Sequence, residues 1–169
     1  MKANWDLCFE LVLKSEGDFS DNPKDPGGMT NLGVTKRNWE RYLDRNVSEA
    51  EMRALTPEVV KPFYKSKYWD KIRGDDLPSG IDYAAYDFAV NSGVNRASKW
   101  LQKIAGVTVD GIIGPKSLEA INSCDAEDVI DALCDMRMDF LKDLSTFETF
   151  GKGWTDRVKG VMFKARNMA

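Results

Sequence analysis

The chain contains no histidine. Ser/His/Asp hydrolases, Cys/His proteases and histidine-containing zinc sites are therefore excluded, and any acid–base chemistry must fall to carboxylates, tyrosine or lysine. Cysteine is scarce as well. Cys8, Cys124 and Cys134 are odd in number and lack metal-ligand spacing, which predicts free core thiols, no disulfide framework, and neither metal nor cofactor. No apolar run approaches the length of a bilayer span, so no membrane insertion is expected. Residues 1–6 (Met-Lys-Ala-Asn-Trp-Asp) also lack the uninterrupted apolar stretch of a secretory signal, so cytoplasmic synthesis is expected. Nor is there an excess of positive charge. With 24 Lys and Arg against 27 Asp and Glu the net charge is −3, which argues against nucleic acid as a partner. No Gly/Ser-rich or Pro-rich linker interrupts the 169 residues, and they read as a single domain, 1–169, around one core.

What the sequence does have is helical periodicity almost throughout. Trp5, Cys8, Phe9 and Val12 recur at helical spacing, predicting a first helix from about Asn4 to Glu16, with Gly17 free to take a left-handed C-terminal position. Thr35 caps a second helix through Trp39 and Tyr42. Ser48 and Glu51 form a capping-box pattern, and Thr56-Pro57 combines a cap with proline at the first helical position. Pro62 falls inside that helix and predicts a kink or a later start. Further on, Ser79 with Asp82, then Asn95, then Gly114-Pro115, then Asp125 with Asp128 open successive helices, the last of these expected to be the longest. A final helix is expected from Trp154. The acidic stretch 125–143 and the basic stretches 61–73 and 152–166 read as solvated helix faces. The fold class is all-α, with at most a small β-hairpin in the irregular stretch from Gly17 to Val34.

That stretch is where chemistry would sit. Glu16 continues the apolar stripe at i+4 from Val12 and i+7 from Phe9, so it points toward the core side. Partial burial disfavours the charged form of a carboxyl group, which suits a proton donor. The alternative is a salt-bridged helix terminus. Asp25 lies in the loop that follows and is either a second functional carboxylate or a turn residue before Pro26. Glycoside hydrolysis needs such a pair, one carboxylic acid to protonate the leaving oxygen and a carboxylate to activate water or act as nucleophile. Thr30 or Asn31 can help hold that water. Asp87 and Asn91, four apart on one helix, either face a substrate cleft or serve as a buried capping Asp and a helix-end Asn. Tyr64, Tyr68 and Trp69 either stack on sugar rings or belong to the core.

The run from Glu16 to Thr35, E-G-D-F-S-D-N-P-K-D-P-G-G-M-T-N-L-G-V-T, resembles the signature of glycoside hydrolase family 108, the N-acetylmuramidases of bacteriophages and prophages. The similarity continues in Y-K-S-K-Y-W at 64–69, D-F-A-V-N-S-G at 87–93, W-L-Q at 100–102 and D-G-I-I-G-P at 110–115. The later half is similar to the family's companion peptidoglycan-binding segment. The resemblance implies a lysozyme-like fold, with a catalytic portion over 1–90 and a helical peptidoglycan-binding portion over 91–169 packed on it. It also implies cleavage of the β-1,4 bond between N-acetylmuramic acid and N-acetylglucosamine, with Glu16 as catalytic acid and Asp25 as its partner. Thr30, Asn31, Asp87, Asn91 and Tyr64 become candidate substrate-binding residues. The partner is peptidoglycan, the state monomeric, and the role that of an endolysin made in the host bacterial cytoplasm that reaches the wall after release. The alternatives are a lytic transglycosylase and a non-catalytic wall-binding or secretion-helper protein. Two positions depart from the pattern: Asp18 stands where a second glycine is usual, and Thr30 comes one residue early.

Overall fold

Capping chemistry sets where many of the helices begin in the computed structural model, which describes residues 4–21 and 28–169. Among these residues the elements are α1 (Trp5–Leu13), β1 (Thr30–Asn31), β2 (Val34–Thr35), α2 (Lys36–Leu43), α3 (Glu49–Arg53), α4 (Pro57–Tyr64), α5 (Ile81–Ser92), α6 (Val94–Ile104), α7 (Pro115–Ser123), α8 (Ala126–Lys142) and α9 (Phe147–Arg166). The fold is mostly α with one two-stranded hairpin, as the sequence pattern predicts. Thr35 caps α2 by accepting from the Asn38 N–H. At α3 both arms of the capping box form: Ser48 Oγ accepts from the Glu51 N–H, and the Glu51 carboxylate accepts from the Ser48 N–H at 2.8 Å. Thr56 caps α4 with Pro57 in its first turn. Asp125 caps α8 through the Asp128 N–H.

Several boundaries differ from the sequence expectation, each for a local reason. α1 stops at Leu13, and Glu16 lies in a tight turn beyond it. Ser15 and Glu16 donate to the carbonyls of Val12 and Leu13 at 2.9 and 3.1 Å. Because these three-residue bonds satisfy the helix end, Gly17 has no left-handed role. Pro62 neither delays α4 nor stops it; the helix passes into a π-helical turn over Lys65–Trp69, a wider winding that follows the proline's missing N–H. α5 and α6 are capped by glycines, Gly80 and Gly93, not by Ser79 or Asn95. α9 begins at Phe147, seven residues before Trp154, and is the longest helix at 20 residues. The expected start at Trp154 lies inside this helix, which passes through Gly151 and Gly153. Gly151 is buried, and a Cβ there would lie 2.8 Å from the Phe147 ring, so glycine is what lets that ring pack on its own helix.

The chain forms two compact units, Phe9–Lys67 and Met1–Cys8 with Tyr68–Ala169. Their division falls at 67/68, a packing boundary distinct from the 90/91 division between catalytic and peptidoglycan-binding portions expected from sequence. The reason is α5, whose residues from Ile81 to Ala89 are all buried and which packs on α6, α8 and α9. It is apolar nearly all round, the pattern of a helix at the centre of a bundle. In the same unit Trp69 is wholly buried with its ring centroid 5.3 Å from Trp5 and 5.5 Å from Tyr86, and its Nε1 donates to Asp75 at 2.9 Å, so Trp69 is a core residue. The smaller unit is organised around Trp39, Tyr42, Phe63, Tyr64 and Phe9, whose rings meet at centroid distances of 5.3 to 5.8 Å. No helix among the described residues is long and apolar enough to cross a membrane.

Candidate active site

The smaller unit places the turn of its hairpin directly against Glu16. β1 and β2 pair antiparallel, Thr30 opposite Thr35 and Asn31 opposite Val34, leaving Leu32 and Gly33 as a two-residue connection. Both have positive φ, +50° and +73°, as the tight primed hairpin turn requires. Leucine carries a steric cost of roughly 1–2 kcal/mol in that region. A hydrogen bond holds it there: the Tyr64 hydroxyl donates to the Leu32 carbonyl at 2.8 Å. Gly33 answers a second demand. A Cβ at this position would lie 2.5 Å from the Tyr64 hydroxyl, its nearest neighbour, 2.7 Å from Glu16 Oε2 and 2.9 Å from Glu16 Cγ. Only a residue without a side chain lets the backbone lie flat against the carboxyl group. Glu16 is half-buried, backed on one side and open on the other.

The hairpin is held from three directions. Ser20 exchanges backbone hydrogen bonds with Thr30, both at 2.8 Å, so the chain leaving Glu16 returns along β1. The Lys36 N–H donates to the Met29 carbonyl at 2.7 Å. Asn31 donates its side-chain N–H to the Met52 carbonyl at 2.8 Å, tying β1 to the C-terminal end of α3. Arg53, at the end of the same helix, lies 3.8 Å from the Phe19 ring centroid and pairs with Glu49. A groove of about 360 Å³ runs over Phe9, Leu13, Leu32 and Pro57, with Glu10 and Lys14 at its edge.

Measured against the sequence expectations, the structure joins Glu16, Thr30, Asn31 and Tyr64 in one unit and changes the part some of them play. Asn31 is buried and its carboxamide is committed to α3, so it anchors the hairpin and does not face substrate. Tyr64 is 1 % exposed, with its ring packed between Phe9 and Phe63, so it braces the turn and offers no sugar platform. Thr30 is half-buried, and its hydroxyl donates to the Gly28 carbonyl at 3.4 Å. Asp25 lies outside the described residues. The residues that sequence reasoning passed over are Leu32 and Gly33; the Leu-Gly pair between two short β-prone dipeptides is the signal that marks them.

Asp87 and Asn91 belong to the larger unit and have opposite fates. Asp87 is fully buried. Arg137 Nη1 donates to its Oδ1 at 2.7 Å, and Arg157 Nη2 donates to its Oδ2 at 3.0 Å. This carboxylate cannot meet a glycan; it is shared by two arginines inside the bundle. Burial above all, with Asp87 adding to it, pushes the ionisation of the neighbouring Tyr83 hydroxyl upward, and burial pushes the Cys134 thiol up to about 12. Asn91 is exposed at the end of α5, accepting from the Ser92 hydroxyl at 2.9 Å. The turn at Asp110 is structural: Gln102, itself buried, donates to Asp110 Oδ1 at 2.7 Å and to the Ile112 carbonyl at 3.0 Å, and accepts from the Gly111 N–H at 2.8 Å. Among the described residues no three His, Cys, Asp or Glu side chains are grouped so as to hold a metal ion.

A helical frame with a carboxyl group set against a hairpin turn defines a class, that of the α-helical glycoside hydrolases with a single small sheet. Comparison with known proteins gives the particular family. Residues 9–93 match the model described as Glycosyl hydrolase 108, and residues 96–159 match one described as a predicted peptidoglycan domain. The chain belongs to the glycosyl hydrolase 108 family and is a glycoside hydrolase acting on peptidoglycan. It is similar to a protein whose solved structure is described as Brucella abortus SagA, with 46% sequence identity over 99% of this chain and 97% of that one and a TM-score of 0.89. No curated protein matches the chain.

Proposed function

We propose that this hydrolase is an N-acetylmuramidase that cuts the β-1,4 bond between N-acetylmuramic acid and N-acetylglucosamine, with Glu16 protonating the leaving glycosidic oxygen. The observation that carries the reading is the backing of Glu16 by Gly33. A carboxyl group pressed on a backbone without a side chain has few places to go, and a general acid must be held where the scissile oxygen arrives. Its other side is open, as attack on a polymer requires. Asp25 is assigned the second carboxylate, activating the water that completes hydrolysis, with Thr30 five residues later in the sequence as a further candidate to hold that water. The endolysin role implied by the family resemblance, with synthesis in the cytoplasm and action on the wall after release, belongs to the same proposal.

The test is Glu16→Gln on purified walls. The amide keeps the shape and cannot supply the proton, so release of soluble fragments should fall ~100-fold to 10,000-fold with an unchanged circular dichroism spectrum. Near-parental lysis by the folded variant would overturn the assignment. Mass spectrometry of the parental products fixes the reaction type: reducing muramic ends support hydrolysis, and anhydro ends would replace it with transglycosylation.

A further inference from the structure

Where α5 hands over to α6 there is an open cavity of about 330 Å³, lined by Ser92, Gly93, Asn95, Arg96, Lys99 and Trp100. Arg96 and Lys99 are three apart on α6 and so share a face. Both are half-buried, where charges are screened less than on open surface, and no ion pair is formed by either among the described residues. Arg96 is held in place: its Nη1 donates to the Ser92 carbonyl at 2.8 Å and its guanidinium lies 4.0 Å from the Phe140 ring centroid. Such an arginine keeps further N–H groups for a ligand and has already lost much of its freedom. Trp100 supplies a firm apolar wall, with its ring 4.8 Å from Phe88 and 5.9 Å from Phe140.

Outside the lining, Asp110 accepts from Gln102 and from the Ile112 N–H; those bonds, the Gln102 one first, with the charge of Lys99 a smaller cause, hold its carboxyl below the usual carboxylate range. Gly111 completes the rim because a Cβ there would lie 2.6 Å from Asn95 Nδ2. A wider groove of about 630 Å³ that includes Asp110 and Ile112 has Lys116 as the single cation of its lining, so the concentration of positive charge is particular to the α6 cavity.

We infer that this cavity binds a carboxylate of the peptide arm of peptidoglycan. Arg96 and Lys99 pair with the carboxylate, and Trp100 packs against the aliphatic carbons beside it. The inference rests on the wall being the substrate. Within that polymer the N-acetylated sugars are neutral, and the lactyl acid is consumed in the amide to the peptide. The carboxylates that two half-buried cations would select therefore belong to the peptide. Asn91 is exposed and accepts from the hydroxyl of Ser92, which lines this cavity.

The test is calorimetric titration of the full chain with a muramyl tripeptide carrying free carboxylates, its carboxamide counterpart, and acetate. Only the acid should bind measurably. Lys99→Gln, whose side chain makes no hydrogen bond that the fold depends on, should weaken it about tenfold, as expected for a charge-assisted contact. Arg96→Gln should do at least as much, while Lys103→Gln, exposed on the same helix outside the cavity, should leave it unchanged. Equal binding of acid and amide, equal binding of acetate, or full affinity in Lys99→Gln would each overturn the inference. Lysis of whole walls by Glu16→Gln separates it from the reading above. Near-parental lysis there removes the Glu16 assignment and leaves the titrations to stand or fall alone.

Discussion

The two units each fix a carboxylate, and they do it by opposite means. In Phe9–Lys67 the carboxyl of Glu16 lies against glycine backbone with one side open. In the larger unit the carboxylate of Asp87 is enclosed, bonded on both oxygens by Arg137 and Arg157. Chemistry needs an acid that is held and still accessible to substrate, whereas a bundle core needs every buried charge matched. Residue type alone does not distinguish the two. What separates them is that the Gly33 backbone leaves Glu16 half-buried, whereas Asp87 is enclosed completely by its arginines.

The sharpest way to break this comparison is to remove each carboxylate in turn. Asp87→Ala leaves the buried guanidinium of Arg137 without its ion pair and removes a partner from the part-exposed Arg157; it should cost about 3–5 kcal/mol, the range for breaking a buried ion pair, seen as a large drop in melting temperature. Glu16→Gln should cost almost no stability while losing activity. If Asp87→Ala melts like the parent, the enclosed cluster does not hold the larger unit together.

Gly33→Ala tests the open site. Positive φ alone should cost about 1–2 kcal/mol, and the added Cβ would also press on Glu16. Gly106→Ala is the control, because Gly106 has φ +69° and nothing within 4 Å of the added atom. Gly106→Ala should lose the backbone cost alone and Gly33→Ala at least as much, but only Gly33→Ala should lose activity on walls, by about tenfold or more, the scale of a small misplacement of a reacting group. Equal activities would mean that contact with the turn does not position the acid.

Much of this was legible in sequence, and what was not has a common cause. Ser48 with Glu51, Thr56-Pro57 and Asp125 marked helix starts correctly because a cap is settled within four residues. Asp87 was not readable as a core charge because its partners stand 50 and 70 residues away. α5 offered no help, since a helix buried all round has no polar face to show which side matters. Glu16 was placed in the right segment through the apolar stripe, but the stripe could not show that α1 ends three residues sooner. The role of Gly33 depends on Glu16 and Tyr64 meeting at one point, 17 and 31 residues away along the chain, which no local pattern reveals.

A milder test concerns the brace behind the open site. Tyr64→Phe keeps the ring packing on Phe9 and Phe63 and deletes the one bond to the Leu32 carbonyl. The loss should be about 0.5–1.5 kcal/mol, together with a fall in kcat larger than any change in KM, because the bond restrains the turn and touches no substrate. A rise in KM alone would make Tyr64 a binding residue after all.

The smallest effect should appear in acid, in the cap of a helix in the smaller unit. The Glu51 carboxyl is held down to about 2, first by the Ser48 backbone N–H and then by Arg45, in the cap of α3. The end of that helix carries the Met52 carbonyl to which Asn31 ties the hairpin. Because the folded value lies below the unfolded one of about 4.3, the contribution is fully present above pH 4.3 and is lost as pH falls toward 2. Glu51 is exposed, so the shift is modest in its consequence for stability. Glu51→Gln should therefore flatten the acid limb of melting temperature between about pH 4 and pH 2 and lower it only slightly at neutral pH. Amide exchange in β1 and β2, followed at pH 3, should quicken in the parent relative to pH 6, and in Glu51→Gln the two rates should differ less once intrinsic exchange is divided out. An acid limb unchanged by Glu51→Gln would show that the hairpin behind Glu16 does not draw its footing from the α3 cap.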